Sequence, residues 1–164
     1  MKALYTSFIL IFLSMTAQAQ NSKLFVEFQD VYSVYITRDL NASKEFYTTW
    51  LDFDIAFEAS WFVYMRSKGE RKLTLALINE KHPSTPPAYG AFNGRGSFLT
   101  LQVADATALY EILKKNNAPI SYKLTKEDWG QLRFGMIDPN GLYIDIVEQV
   151  DPKEGYWEQY VKKR

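Results

Sequence analysis

The stretch WGQLRFGMIDPNGLYIDIVE, residues 129–148, decides how this chain folds. Leu132, Phe134 and Met136 alternate with other residues up to Asp138-Pro139-Asn140-Gly141, and a second alternating run, residues 143–148, leaves that turn. The pattern is that of a β-hairpin. Pro139 pre-sets φ, Asn140 and Gly141 tolerate φ > 0, and Asp138 can accept from the turn amides. Asp145 stands between Ile144 and Ile146, and successive side chains point to opposite faces of a strand. With the two isoleucines in the core, Asp145 faces away from it beside Tyr143 and Val147, with Trp129 and Arg133 expected close by. A carboxylate, an arginine and aromatics on one concave face are the makings of a small-molecule site.

Outward from the hairpin, the same order of elements occurs twice. Residues 31–37 (VYSVYIT) have the β-branched and aromatic content of a strand. Asp39 or Asn41 then caps a helix that carries Phe46, Tyr47, Trp50 and Leu51 on one face. Three short strands are expected at 53–58, 61–66 and 72–78, and the Pro/Gly-rich run 79–96 reads as a connecting loop. The second half repeats the plan: a strand at 97–103, a cap at Asp105, and a helix with Leu109, Ile112 and Leu113 on one face. That helix ends near Asn116-Asn117 before Pro119, and a strand at 120–124 leads to the closing hairpin. Each half is βαβββ, with Asp39 and Asp105 each two residues after a strand, so the chain contains a diverged internal repeat. In the tail, Tyr156, Trp157, Tyr160 and Val161 are placed to dock one side of a short helix.

The 164 residues suffice for one domain, and a composition 47% apolar and 16% aromatic supports a sizeable core. Nineteen Lys plus Arg balance nineteen Asp plus Glu, and with no basic aromatic patch the chain has no footprint for nucleic acid. Cysteine is absent, which excludes a disulfide framework, a zinc ribbon and a thiol nucleophile. The single histidine, His82, would have to serve any His-based metal shell or triad alone, and its setting between Lys81 and Pro83 reads as an exposed loop. Residues 1–19 (MKALYTSFILIFLSMTAQA) combine Lys2, an uncharged apolar run and Ala17-Gln18-Ala19, the pattern of a secretory signal peptide. The apolar run is shorter than the roughly 20 residues a membrane span needs. The expected plan is a signal at 1–19, a lead-in at 20–30, one domain of two modules at 31–150 (about 31–78 and 97–148), and a tail at 151–164. The mature chain is expected to be exported, periplasmic or extracellular, with no membrane partner.

The duplicated βαβββ unit, the strand-Asp-Leu-helix start ITRDLNASKEFY and the closing DPNGLYIDIVE together resemble the vicinal oxygen chelate superfamily. That superfamily includes glyoxalase I, bleomycin-resistance proteins and extradiol dioxygenases. ASWFVYM, FNGRGSFLTLQVAD and WGQLRFGMIDPNG are similar to a glyoxalase-like branch of it. The resemblance implies an α+β fold in which two βαβββ modules curl a mixed sheet into a cup with helices outside. It also implies a ligand cavity enclosed by two modules of one chain or of a homodimer. Its enzymes usually hold a divalent metal, and the corresponding positions here are Tyr32, Phe98 and Asp145. Only Asp145 is a ready ligand, and the first module's last strand offers no carboxylate, so no cofactor is expected. A metal belongs to an alternative reading, a glyoxalase-type lyase, isomerase or dioxygenase.

The favoured expectation is an exported small-molecule-binding protein with an aromatic-lined cavity; a purely structural or interaction domain is a further alternative. The candidate ligand residues are Tyr32, Trp61, Phe98, Thr100, Gln102, Trp129, Arg133 and Asp145. Asp145 is the best catalytic candidate and reads equally as a carboxylate paired with Arg133 or a lysine. Arg133 could clamp an anion bidentately or be a solvated edge charge. Trp61, Phe98 and Trp129 would wall the cavity, although core packing explains aromatics as well. Thr100 and Gln102 lie on the strand face opposite Leu99, Leu101 and Val103, where a polar group among apolar ones orients a ligand.

Overall fold

A computed structural model describes residues 28–87 and 90–160. The expected leader lies outside the described residues, as does Val161 of the tail. The first module comprises strand β1 (Ser33–Thr37), helix α1 (Leu40–Trp50), and strands β2 (Phe53–Ala59), β3 (Phe62–Ser67) and β4 (Thr74–Asn79). The second comprises β5 (Phe98–Gln102), α2 (Ala106–Lys115), β6 (Ile120–Glu127), β7 (Gln131–Ile137) and β8 (Tyr143–Gln149). A single 3₁₀ turn, Trp157–Gln159, follows. The strand orders are β1-β4-β3-β2 and β5-β8-β7-β6, so the duplicated βαβββ architecture is present as two four-stranded mixed sheets. In each sheet the first strand runs parallel to the last and the other pairs are antiparallel.

The two halves start and stop their helices by the same means. Asp39 Oδ1 accepts from the Ala42 amide at 2.9 Å, and Asp105 Oδ1 from the Ala108 amide at 2.8 Å, each satisfying a donor the helix leaves open. Asp52 and Asn117, the two non-glycine residues with positive φ among those described, each directly follow a helix C-cap. At α2 the Ala118 amide reaches Leu113 and the Asn117 amide reaches Lys114, a Schellman ending. Ile112 departs from the expected apolar face: it is exposed, whereas Leu113 is buried.

A single hydrophobic core joins both modules, with Phe46, Tyr47, Val63, Met65 and Leu77 from the first and Leu113, Phe134, Met136, Leu142, Ile144 and Ile146 from the second. The contact that fixes one module on the other is polar. Asp138, almost fully buried, uses Oδ1 to accept from the Asn140 and Leu142 amides at 2.8 Å each. Its Oδ2 accepts from the Tyr47 hydroxyl of α1 at 3.0 Å and from Asn140 Nδ2 at 3.2 Å. Asn140 Nδ2 also donates to Ser43 Oγ at 3.0 Å, and Ser43 Oγ lies 2.9 Å from Thr37 Oγ1. The hairpin turn is thus tied to the strand-to-helix junction of the other module. Within the turn Gly141 alone takes positive φ, at 83°, so Asn140 contributes its amide rather than a left-handed backbone. A Cβ on Gly94 would meet the Gly141 carbonyl, so the connecting loop passes directly over this turn.

Burial and the charge of Asp138 push the Tyr47 hydroxyl well above its ordinary pKa, so it stays a donor. Tyr47→Phe is expected to leave the fold intact and lower its stability by about 1–3 kcal/mol, the cost of leaving a buried acceptor short of a donor. Urea denaturation checks this; an unchanged midpoint would show that Asn140 Nδ2 alone satisfies Asp138 Oδ2.

Candidate functional site

Each sheet turns one face to its helix and leaves the other free of it. On the second sheet Ile144 and Ile146 are buried with the core, and Asp145, as the alternation required, points to the opposite face. Register places Thr100, Asp145 and Gly135 in one row, Phe98, Tyr143 and Ile137 in the row on one side, and Gln102, Val147 and Arg133 in the row on the other. Asp145 is only 4% exposed, whereas Thr100, Gln102 and Phe98 are open to solvent. A Cβ on Gly135 would collide with the ring and hydroxyl of Tyr143, so the missing side chain lets that ring lie across the sheet.

Arg133 is the centre of this face. Its Nε donates to Glu127 Oε1 at 2.9 Å and its Nη1 to Asp145 Oδ1 at 3.4 Å. Tyr122 donates its hydroxyl to the same Glu127 oxygen at 2.9 Å. The guanidinium carbon lies 5.4 Å from the Tyr122 ring centre and 5.0 Å from that of Trp129, a cation–π contact with each ring. Trp129 is held in turn by its indole N–H on Gln131 Oε1, 2.9 Å away. The guanidinium is therefore committed to two carboxylates and two rings, a fuller engagement than either an open anion clamp or a solvated edge charge.

Burial raises the pKa of Asp145; the charge and hydrogen bond of Arg133 act against that rise without cancelling it. Burial would lower that of Arg133, but the hydrogen bond to Glu127 and the charges of Asp145 and Glu127 outweigh it, so the arginine stays cationic. Among the described residues Asp145 Oδ2 makes no hydrogen bond, and no side-chain polar atom is both sealed from solvent and unpartnered. That oxygen is therefore not wholly sealed from solvent, although the residue is nearly covered, and Thr100 is its neighbour across the β5–β8 ladder.

The other candidates lie on the first module. Tyr32 packs edge-on against Tyr64 with ring centres 5.1 Å apart. Trp61 stacks on His82 at 3.9 Å and 4°, so the histidine is half-buried against an indole rather than free in its loop. The Ser84 amide donates to His82 Nδ1 at 3.2 Å, which leaves the ring's proton on Nε2 when neutral. Beside this loop Val34, Ile36, Phe62, Ile78, Ser84 and Pro86 line a cavity of about 390 Å³. Asp145, Arg133 and Trp129 share one face with Thr100 and Gln102, while Tyr32 and Trp61 belong to the first module. Glu127 and Tyr122 were not legible as site residues. Strand β6 runs past its expected end at 124, and its pairing with β7 shifts between Tyr122 and Thr125, which breaks the alternation that would have placed them.

The positions that the resemblance assigns to a metal do not form a shell. Phe98 has no donor atom, Tyr32 packs its ring against Tyr64, and Asp145 already faces a guanidinium. Ala76 pairs with Val34 in the register at which Asp145 pairs with Thr100, so the first sheet supplies no matching carboxylate. Among the described residues no group of three His, Cys, Asp or Glu is placed to hold an ion.

Residues 31–146 match the model of the Glyoxalase/Bleomycin resistance protein/Dioxygenase superfamily, and the chain belongs to that superfamily. Among solved structures, a protein of unknown function from Agrobacterium tumefaciens is 24% identical, with 77% of this chain and 98% of that one covered at a TM-score of 0.60. A glyoxalase/bleomycin resistance protein/dioxygenase from Nocardioides is 20% identical, with 80% and 91% covered at 0.64. A glyoxalase-related enzyme from Fulvimarina pelagi is 19% identical, with 74% and 89% covered at 0.60. These likenesses establish a shared fold. No curated protein matches the chain.

With the folded-state pKa of Asp145 above its usual 3.8, the folded chain holds that proton more tightly than the unfolded one. The stability due to Asp145 is therefore greatest below pH 3.8 and falls as pH rises through the raised value. Urea denaturation from about pH 4 to 7 should show the wild type losing stability relative to Asp145→Asn as pH rises. A constant difference would mean that Arg133 fully offsets the burial.

Proposed function

We propose that this chain is an exported small-molecule-binding protein that works without a metal and anchors its ligand on the helix-free face of the second sheet. The observation that carries this reading is the buried Asp145 carboxylate, which has an oxygen free of any described protein partner beside the exposed Thr100 and Gln102. A largely covered carboxylate with an oxygen free of any described partner favours a ligand that donates to it, and Thr100 and Gln102 add hydrogen-bonding partners that orient the ligand. Phe98, exposed at the row's edge, adds apolar area. Export rests on the composition of residues 1–19, and a homodimer on the family resemblance.

A metal-dependent glyoxalase-type reaction is the weaker reading, because the carboxylate that it needs already faces a cation. The test is a screen of small molecules by intrinsic tryptophan fluorescence, since Trp129 borders the face. Compounds that bind the wild type are expected to bind Asp145→Asn about tenfold or more weakly, about 1.4 kcal/mol, and to bind Trp129→Ala more weakly without unfolding it. Equal affinity for Asp145→Asn across all hits would overturn the assignment of the face.

A further inference from the structure

We infer that Arg133 is the resident cation of this face, occupying with its guanidinium the ground between two carboxylates that would otherwise gather a divalent metal ion. The inference rests on the reading of this face as the binding site. The resemblance assigns Asp145 to a metal, and the structure places a guanidinium nitrogen 3.4 Å from Asp145 Oδ1. The same guanidinium holds Glu127 at 2.9 Å, so two carboxylates from strands β6 and β8 converge on one cation from β7. Both are well covered, with side-chain exposure of 15% for Glu127 and 5% for Asp145. Two such charges left facing each other would take up a proton or a cation to offset their repulsion.

Arg133 is also fixed in a way that a chance surface arginine is not. Tyr122 and Trp129 both contact it, and its side chain is only 25% exposed. An arginine cannot be deprotonated in a protein, so this positive charge is independent of metal supply and of pH. The oxygens around it, from Glu127, Asp145 and the Tyr122 hydroxyl, are hard donors of the type that Mn²⁺ and Mg²⁺ accept. With the guanidinium in place, a divalent ion would meet a like charge within the same few ångströms.

The test uses the full mature chain and Mn²⁺ alone as the probe, followed by the loss of the free-ion electron paramagnetic resonance signal at neutral pH. Wild type and Arg133→Lys are expected to bind no stoichiometric Mn²⁺. Arg133→Gln, whose amide can still donate to Glu127, is expected to bind one Mn²⁺ per chain at least tenfold more tightly, and Arg133→Gln with Asp145→Asn to lose it. Arg133→Met repeats the measurement with a side chain that fills the volume. Stoichiometric Mn²⁺ on the wild type, or a folded Arg133→Gln that binds no better than wild type, would overturn the inference. So would loss of the fold in both neutral variants, which would assign the guanidinium to stability instead. Failure of the fluorescence screen to depend on Asp145, with the Mn²⁺ results as expected, would instead strike the binding reading and leave the charge substitution standing.

Discussion

The hydrogen bond from Tyr47 to Asp138 joins the two halves of this protein where a merely hydrophobic contact would leave their relative placement loose. Apolar burial is non-directional, so a shared core of leucines, isoleucines and phenylalanines holds the modules together without specifying an angle between them. Asp138 supplies the direction. Its two oxygens meet four donors, two backbone amides of its own turn, the Asn140 amide and a phenol from α1. Because Asp138 itself is buried, a shifted module would strand a carboxylate away from water, at a cost of several kcal/mol. The network thus sets a geometry that packing alone would not.

The same network explains why the fold was readable from the sequence while much of the site was not. The features that reveal the fold are local and repeated: a cap two residues after a strand, a Pro-Asn-Gly turn, and an apolar period that switches between two and four. Each has its own short-range cause, so each survives in a single sequence. The DPNG turn and the TRDL junction even turn out to be linked, from Asn140 through Ser43 of α1 to Thr37. The site depends on longer-range matters. Alternation put Asp145 on the face opposite Ile144 and Ile146 because its strand is regular, and it was not available for Glu127, which lies past the expected strand end at 124 and beyond the slip in β6 pairing between Tyr122 and Thr125. The stacking of Trp61 on His82 was invisible because it joins a turn to a loop about twenty residues later, with no periodic pattern between them.

Duplication gave two sheets of one plan, and the rows that correspond have diverged in chemistry. Where the second sheet carries Thr100, Asp145 and Gly135, the first carries Val34, Ala76 and Tyr64. The first sheet is therefore apolar and aromatic at the level where the second is charged. The exchange of Tyr64 for Gly135 matters as much as the loss of the carboxylate, since a large side chain at that row would leave no room for Tyr143 to cross it. The two halves share a scaffold and carry different chemistry on it, one apolar and aromatic, the other charged.

The C-terminal turn extends the reach of this face. Trp157 donates its indole N–H to the backbone carbonyl of Trp129 at 3.0 Å, and Tyr156 packs near the Trp129 ring. Trp129 in turn covers the Arg133 guanidinium, so a short chain of contacts runs from Trp157 to the carboxylates that Arg133 holds. The 3₁₀ turn is for that reason part of the support of the arginine, and a substitution at Trp157 is felt at Trp129 before it is felt anywhere else.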